Sequence, residues 1–351
     1  MRAVGLDVYA LLNTLYVMTP QAYVHLENST VRINVEREKR LQVPLHHLSG
    51  IVVFGTVLVS PALMHRLADE GKTLVLLDEN GRFKARLEGP VSGNILLRQA
   101  QHRAASDSPT SLEIARTCVA GKLKNSRSVI MRGARETDHA EEGAMLDRAA
   151  SNLAASLRSA ADATTLDELR GVEGEAARGY FSALNLIVKP QARAAFALDG
   201  RTRRPPLDRF NALLSFLYAL LMNDCRSALE TVGLDPQLGY LHAVRAGRAA
   251  LALDLQEEFR SILADRLALT LINRGQIGAD DFDVREGGAV SLNDKGRRTV
   301  VTAWQERKRE EVTHPMLEAK LPNGLLPLIQ ARFMARTLRG EMEGYLPYLA
   351  K

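Results

Sequence analysis

The sequence predicts an α+β protein, with a small β-sandwich-like N-terminal domain holding one helix and a larger all-α domain after it. Over the first ninety or so residues, short β-branched or alternating stretches are separated by polar turns, as in strands. From about Val91, strand periodicity recedes and long stretches rich in Ala, Leu, Arg and Glu predict amphipathic helices. The change falls near Glu88-Gly89-Pro90, so the predicted domains are 1–90 and 91–351.

The N-terminal domain shows clear turn and cap signals. Gly50–Ser60 is an almost continuous apolar stretch, which fits one buried strand or two short strands broken at Gly55. Ser60-Pro61 can cap and begin a helix that ends at Gly71. Asn80-Gly81 between two strand-like stretches predicts a hairpin. The other predicted strands are Leu12–Met18, Ala22–Leu26, Thr30–Val35, Arg40–Leu45, Thr73–Asp78 and Arg82–Glu88.

The C-terminal domain is predicted to consist of helices with one small hairpin. Asn211–Leu229 is strongly apolar and is expected near the centre of the core. Phe282–Leu292 contains Glu286-Gly287-Gly288 and fits the hairpin, while Arg201–Pro206 is a basic loop that is extended before its prolines. The other predicted helices are Val91–Arg103, Ser111–Arg132, Glu142–Ala161, Leu166–Val188, Asp294–Glu311, Gly324–Arg339 and one that begins before Asp254 and continues through Ile262–Leu271.

Composition narrows the class of protein. With 351 residues and 46% hydrophobic content, the chain is long enough for a sizeable core, and its net charge of +5 permits a polyanionic partner. Cys118 and Cys225 lie far apart in sequence, so we expect two reduced, buried thiols in a cytosolic protein. No signal peptide or membrane span is expected. The absence of P-loop and nucleophile-elbow motifs argues against P-loop NTPases and α/β-hydrolases.

The most unusual feature is a group of three carboxylates, Asp254, Glu257 and Glu258. Spacings of three and four residues place them along one side of a helix, at the edge of its buried apolar stripe. Like charges at this spacing repel, so either arginines or a divalent cation must offset them. The nearest arginines in sequence are Arg245, Arg248 and Arg260. Helical geometry alone leaves Glu257 and Glu258 as rival members of a metal site.

Glu173 and His242 could join these acids. Glu173 lies between Gly171 and Gly174 in a helical pattern, and each helix glycine costs roughly 1 kcal/mol relative to alanine. Either another helix packs closely there, or something must approach the acid. A single histidine is more often structural than a metal ligand. Together with Glu173 and one or two of the acids near 257, however, His242 would make an oxygen-rich site that suits Mg²⁺ or Mn²⁺ better than structural Zn²⁺.

Four sequence blocks, taken together, carry a resemblance to a known family. They are VEGEAARGYF (Val172 to Phe181), NALLSFLY (Asn211 to Tyr218), GYLH (Gly239 to His242) and LDLQEEFR (Leu253 to Arg260). In this order they resemble the CRISPR-associated Cas-one family, the spacer-acquisition integrases. The N-terminal strands and the tail from Gln330 to Gly340 are also similar, so the resemblance covers essentially the whole chain. The form it resembles most is that of type I, subtype C systems.

The resemblance implies a metal-dependent DNA endonuclease and integrase of CRISPR adaptation. It implies catalysis and metal binding by Glu173, His242 and Glu257, with Asp254 as a supporting acid and Mg²⁺ or Mn²⁺ as the metal. The β domain would serve dimerisation, and the helical domain would bind metal and DNA. The implied partners are double-stranded DNA (spacer and CRISPR repeat), a second copy of the chain, and a Cas-two dimer that bridges two such homodimers. The implied location is the prokaryotic cytoplasm.

The implied chemistry is attack of a 3′-hydroxyl on a phosphodiester, helped by a metal that activates the hydroxyl and stabilises developing charge. Since a histidine binds metal only when neutral, activity is expected to fall below about pH 6.5. Arg245, Arg248 and Arg260 are the expected DNA-binding residues. Two alternatives stay open: a catalytically inactive DNA-binding scaffold, and a small-molecule hydrolase. The hydrolase predicts one deep pocket and no salt-sensitive retention on heparin.

Overall fold

The computed structural model describes residues 8–11, 14–48, 50–79, 83–87, 89, 95–198 and 200–350. The chain divides into two compact units, 1–92 and 93–351. Cys118 and Cys225 are both buried and free, as predicted. Among the described residues, no helix is long and apolar enough to cross a lipid bilayer.

The described part of the first unit consists of short strands and one α-helix, α1 (Pro61–Asp69). Its strands are β1 (Val8–Leu11), β2 (Thr14–Val17), β3 (Tyr23–Glu27), β4 (Thr30–Val35), β5 (Glu38–Pro44), β6 (Gly50–Phe54), β7 (Leu58–Val59), β8 (Thr73–Leu77) and β9 (Phe83–Leu87). The strand β1 was not predicted, because its four residues are all apolar and show no alternation.

Two sheets enclose the core of this unit. One has the order β1-β2-β6-β8-β9, with parallel pairing of β2 with β6 and of β6 with β8 and antiparallel pairing at both ends. The other has the order β5-β4-β3-β7, antiparallel except between β3 and β7. Leu15 and Ile51 of the first sheet share one core with Val24 and Ile33 of the second and with apolar side chains of α1. The predicted β-sandwich-like unit with one helix is confirmed.

Local sequence signals predicted the turns of this unit correctly. The Ser60 hydroxyl accepts a hydrogen bond from a backbone N–H in the first turn of α1 at 3.2 Å. Gly55 and Gly71 have φ values of +61° and +62°, a conformation that glycine adopts without strain. Gly55 therefore breaks Gly50–Ser60 into β6 and β7. Strands β8 and β9 pair antiparallel as a hairpin requires, but the predicted turn residues Asn80-Gly81 lie outside the described residues.

The second unit is mostly helical. Its helices are α2 (Ile95–Ser106), α3 (Ser108–Glu136), α4 (Ala140–Asp162), α5 (Leu166–Ile187), α6 (Pro190–Arg193), α7 (Arg209–Thr231), α8 (Ala250–Phe259), α9 (Arg266–Asn273), α10 (Asp294–Arg309) and α11 (Leu326–Leu338). The predicted hairpin is present as β10 (Phe282–Val284) and β11 (Val290–Leu292). A second hairpin, β12 (Glu311–His314) with β13 (Ala319–Pro322), corrects the prediction of an all-α domain. It was missed because each strand is only four residues long, too short for its alternation to stand out from the helices predicted on either side.

The candidate site residues Glu173 and Glu257 are on α5 and α8, which both pack against α3. Helix α3 packs against α4, α5 and α8, and α7 packs against α8 and α11. As predicted, α7 contributes many residues to the core. Helix α8 is buried on nearly every side, since all of its residues except Leu253 are buried. Its carboxylates therefore lie inside the protein. The prediction that they lie at the edge of a buried apolar stripe was wrong.

The sequence predicted one continuous helix over this region, but α8 does not run directly into α9. Arg260–Asp265 forms a π turn between them. A π turn closes its hydrogen bonds over five residues, and hydrophobic periodicity does not reveal this local change. Such turns occur frequently at functional sites, and this one begins two residues after Glu258.

Candidate active site

Glu257 lies at the centre of a buried group of charged side chains. Its own side chain is 2% exposed, and its Oε2 lies 2.8 Å from Nζ of Lys122. Arg260 donates a hydrogen bond to Oε1, and Nε2 of His242 lies 3.8 Å from the same oxygen. Burial alone would raise the pKa of Glu257, but the charges of Arg260 and Lys122 outweigh burial and lower the pKa. Glu257 is therefore held ionised inside the protein.

Lys122 connects Glu257 to Glu173. The Lys122 ammonium also donates a hydrogen bond to Oε1 of Glu173, so one cation joins α3, α5 and α8. The Glu173 side chain is 25% exposed, which leaves this side of the group accessible. A Cβ atom at Gly171 or Gly174 would meet no described atom within 4 Å. Close helix packing therefore does not explain these glycines, and the approach of something from outside remains the interpretation.

Lys122 was not predicted as a site residue. The only signal was the excess of basic residues over acids in the helix around it. Such an excess does not show which cation points inward, because that depends on the helices packed against α3.

Asp254 holds the loop that carries His242. Its Oδ2 accepts hydrogen bonds from the N–H groups of Tyr240 at 2.6 Å and Leu241 at 3.0 Å, and its Oδ1 accepts one from the N–H of His242 at 3.0 Å. The same Oδ1 lies 2.7 Å from Nδ1 of the His242 ring. When Nδ1–H donates to Asp254, the lone pair of the neutral ring is on Nε2, the nitrogen that faces Glu257. This is the geometry expected of a supporting acid.

Gly239 leaves room for the Asp254 carboxylate. A Cβ atom at this position would lie 2.7 Å from the carbonyl carbon of Ala250 and 2.8 Å from Oδ2 of Asp254. We expect Gly239→Ala to lower the free energy of unfolding by about 2 kcal/mol, because these atoms must move apart. Gly174→Ala is the matched control, since it has open space and should be neutral or stabilising by up to about 1 kcal/mol. Equal stability of the two variants in urea denaturation would contradict this prediction.

Glu258, the rival of Glu257 by helical geometry, faces a different set of residues. One carboxylate oxygen accepts a hydrogen bond from the Tyr345 hydroxyl. The other accepts hydrogen bonds from the N–H of Tyr348 at 2.8 Å and from Nε2 of Gln330 at 3.1 Å. Burial raises the pKa of Glu258 to about 7, although these donors oppose the shift. Glu258 thus anchors the C-terminal segment, the chain from Tyr345 onward, and lies outside the group around Lys122.

Two of the three arginines expected to bind DNA are accessible. Arg245 is exposed and Arg248 is half-buried. Partial burial lowers the pKa of Arg248, and the positive charges of Arg245, Arg204 and Arg170 lower it further, against the opposing effect of Asp254. Cations therefore crowd together next to the loop that carries His242, which is the arrangement that a polyanion would neutralise.

Arg260, the third of these arginines, is in a different position. Its side chain is 13% exposed, and besides Glu257 it hydrogen-bonds to Oε1 of Gln256 at 3.1 Å. Its guanidinium lies 5.2 Å from the centre of the Tyr218 ring. The geometry favours the role of offsetting the acid cluster, while contact of Arg260 with DNA stays a prediction.

A buried network behind Arg260 was not predicted from sequence. The hydroxyls of Tyr180 and Tyr218 donate to the two carboxylate oxygens of Asp265 at 2.8 Å and 2.7 Å. Arg201, from the predicted basic loop, also lies 5.2 Å from the centre of the Tyr218 ring. These contacts join helices far apart in the chain, so no spacing along the sequence indicates them.

Asp265 gives the stability of the protein a pH dependence that can be tested. Burial raises the pKa of Asp265 to about 6, whereas an unfolded aspartate titrates near about 4. The folded state therefore binds the extra proton, and its stabilising effect is lost as the pH rises through about 6. Relative to wild type, Asp265→Asn should gain about 2 kcal/mol in free energy of unfolding between pH 4.5 and 7.5. A difference between the two proteins that is independent of pH in urea denaturation would refute this.

The predicted ligands have the chemistry for a hard divalent cation, although they are not gathered into a cage. Among the described residues, no three His, Cys, Asp or Glu side chains are close enough to hold a metal ion as they stand. The position between Glu173 and Glu257 is taken by the Lys122 ammonium. Oε2 of Glu257 is buried, and apart from this ion pair no described group donates a well-directed hydrogen bond to it. Two carboxylates and one imidazole nitrogen fit Mg²⁺ or Mn²⁺.

The four sequence blocks lie within a region that matches a known protein family. A family model described as CRISPR associated protein Cas1 matches residues 15–306. The chain belongs to the Cas1 family. The family predicted from the four sequence blocks is thereby confirmed, and the subtype C form stays a prediction.

Named Cas1 proteins are similar over almost the whole chain. A relative from Moorella thermoacetica, named CRISPR-associated endonuclease Cas1 1, is 55% identical over 342 residues, which cover 97% of this chain and 99% of that protein. A protein of the same name from Chlorobaculum tepidum is 46% identical over 338 residues and covers 96% of this chain and 98% of its own length.

Solved structures show the same fold at lower sequence identity. A Cas1 protein from Thermotoga maritima aligns with a TM-score of 0.80 at 24% identity and covers 93% of this chain and 97% of that chain. A casposase bound to an integration product aligns with a TM-score of 0.80 at 22% identity, with 95% and 93% covered. The Cas1 arrangement of an N-terminal β unit and a mostly helical C-terminal unit agrees with the predicted fold class.

Proposed function

We propose that this Cas1 protein is a metal-dependent DNA endonuclease and integrase of CRISPR adaptation. It inserts short DNA duplexes into the CRISPR array through attack of a 3′-hydroxyl on a phosphodiester. The observation that carries this proposal is that Glu173 and Glu257 contact one cation, the Lys122 ammonium, while Nε2 of His242 lies 3.8 Å from Oε1 of Glu257. The name of the 55% identical relative, CRISPR-associated endonuclease, points to the same chemistry.

Each residue of the group has a distinct part in this proposal. Glu173, Nε2 of His242 and Glu257 would hold Mg²⁺ or Mn²⁺. The bound metal would polarise the phosphodiester and make the attacking hydroxyl more acidic. Asp254 orients the His242 ring through Nδ1 and fixes its loop through backbone N–H groups. Arg260 keeps Glu257 ionised in a buried position.

The accessible cations suit DNA phosphates. Arg245 and Arg248, with Arg170 and Arg204 near them, would contact the backbone of the incoming duplex or of the repeat. Binding through phosphates weakens as salt rises, because counterions are released from the DNA. The net charge of +5 is in keeping with such a partner.

The same proposal includes the partners of the protein and the roles of its two domains. Residues 1–90 serve dimerisation, and residues 91–351 carry out catalysis and bind metal and DNA. Two homodimers are bridged by a Cas2 dimer and act on double-stranded spacer and repeat DNA. Support comes from a chain of a solved Cas6-RT-Cas1–Cas2 complex, which aligns with a TM-score of 0.81 at 23% identity, although only 37% of that longer chain is covered.

The test is strand transfer of a short duplex into a supercoiled plasmid that carries a CRISPR repeat, with Cas2 and Mn²⁺ present. Wild type should join the strands, and Glu173→Gln and His242→Ala should not. A duplex with 3′-dideoxy ends is the control, since it lacks the attacking hydroxyl. If wild type binds DNA but joins no strands, the protein is a DNA-binding scaffold without catalytic activity. The name endonuclease on the relatives argues against that candidate.

A hydrolase of small molecules fits the structure poorly. The cavity beside Lys122 and Arg260 has a volume of about 20 Å³. Sites for small molecules usually enclose about 300 Å³ or more. A substrate that approaches Glu173 from outside, as DNA would, agrees better with this geometry.

A further inference from the structure

We infer that Lys122 occupies the cation position between Glu173 and Glu257 in the metal-free protein, and that a divalent metal must displace it. This inference rests on the proposed function, since it takes the two carboxylates as metal ligands. It assigns Lys122 a positioning role: its ammonium holds the two acids in place until a metal replaces it.

The contacts of Lys122 are those of a cation in a carboxylate site. Its Nζ lies 2.8 Å from Oε2 of Glu257 and donates a hydrogen bond to Oε1 of Glu173. Its side chain is 12% exposed, so water screens these charges only weakly. The two carboxylates, on helices that both pack against α3, repel each other when nothing lies between them. A metal that used the same two oxygens would have to exclude the ammonium.

The positions of the other ligands are consistent with an exchange. With Lys122 in place, no three candidate side chains among the described residues are gathered closely enough for a metal. His242 is nevertheless near, with its Nε2 3.8 Å from Oε1 of Glu257. Asp254 holds the His242 loop independently of Lys122. Departure of the ammonium is therefore the change that would let Glu173 and Glu257 share a metal.

A cavity next to the site gives the Lys122 ammonium room to move off the two carboxylates. Lys122 lines this cavity together with Tyr218, Arg260 and Asp265, and the cavity has a volume of about 20 Å³. That is enough for one group the size of a water molecule or an ammonium. Asp265 is the only carboxylate among the lining residues. The cavity therefore supplies room for the ammonium to move, while both oxygens of Asp265 are already held by tyrosine hydroxyls.

The exchange lowers the apparent affinity of the protein for metal. A site that is open for only a fraction of the time binds its ligand more weakly by that fraction. If Lys122 fills the site about 90% of the time, its removal should tighten metal binding by about tenfold. The site would then fill with metal only at higher metal concentrations, and Lys122 would keep the two carboxylates in place until it does.

The first experiment measures Mn²⁺ binding to the full chain without DNA, by electron paramagnetic resonance of the free ion. Lys122→Met removes the charge but keeps the length of the side chain, and its thioether is a poor ligand for Mn²⁺. We expect it to bind Mn²⁺ about tenfold more tightly than wild type. Lys122→Arg, which can still pair with both acids, should bind as wild type does. Lys124→Met, at an exposed position of the same helix, should also match wild type.

The outcomes separate this inference from the proposed function. Unchanged or weaker Mn²⁺ binding by Lys122→Met, with binding lost in Glu257→Gln, would overturn the exchange and leave the metal site standing. No Mn²⁺ binding by wild type and by Lys122→Met alike would overturn both. Binding by Lys122→Met alone would be the strongest support for displacement.

A second experiment needs no variant, so it holds even if Lys122→Met folds poorly. Acetylation of lysine side chains is followed by mass spectrometry with and without saturating Mn²⁺. Displacement predicts that labelling of Lys122 rises with metal while labelling of Lys124 does not change. Equal labelling of Lys122 in both conditions, in protein that binds Mn²⁺, would refute the exchange.

Discussion

Strand transfer by Glu257→Gln should fall by about three orders of magnitude or more, because the variant loses the buried charge at the centre of the proposed metal site. Glutamine keeps an oxygen that can accept the hydrogen bond from Arg260, so the side chain should stay in place. It lacks the negative charge that Lys122 now neutralises and that a metal would require. The measurement is the rate of strand joining at saturating Mn²⁺, with circular dichroism to show that the variant is folded.

Glu258→Gln is the matched control, since it makes the same change one residue further along the same helix. Glu258 faces Tyr345, Tyr348 and Gln330 and not Lys122. This variant should keep strand-transfer activity within about tenfold of wild type, because the Glu258 side chain contacts none of the proposed metal ligands directly. Equal loss of activity in the two variants would show that helix α8 presents both acids to the metal, contrary to the observed contacts.

Removal of the Glu258 side chain should affect stability instead of chemistry. Glu258→Ala would leave the Tyr345 hydroxyl, the Tyr348 N–H and the Gln330 amide without their buried acceptor. It would also leave a cavity beside α3. We expect the free energy of unfolding to fall by about 3 kcal/mol or more, measured by urea denaturation.

The same change should loosen the C-terminal segment. Asn125 also holds this segment, through bonds of 2.8 Å to the carbonyl oxygen of Tyr348 and 2.9 Å from the N–H of Ala350. Limited proteolysis should therefore cut Glu258→Ala near residue 345 sooner than wild type. Glu343→Ala, at an exposed position, is the control and should stay within about 0.5 kcal/mol of wild type. The anchoring role is refuted if the two variants are equally stable.

Local signals predicted much of the secondary structure. Ser60 and the glycines at 55 and 71 act within a few residues of themselves, so their effects could be predicted from spacing and conformational preference. Long helices such as α5 repeat an apolar pattern over many turns. The hairpin β12–β13 and the π turn at Arg260–Asp265 have no such local pattern, and both were missed.

The sequence by itself determined which family this chain belongs to, and it marked Glu173, His242 and an acid near 257 as the candidate site. Only the tertiary structure decided that Glu257 faces Lys122 and Glu173 while Glu258 turns to the C-terminal segment. Adjacent residues of a helix point about 100° apart, and on a helix buried all round both directions lead into protein. What each acid meets is therefore set by α3, α5 and the chain terminus, which lie far from it in sequence.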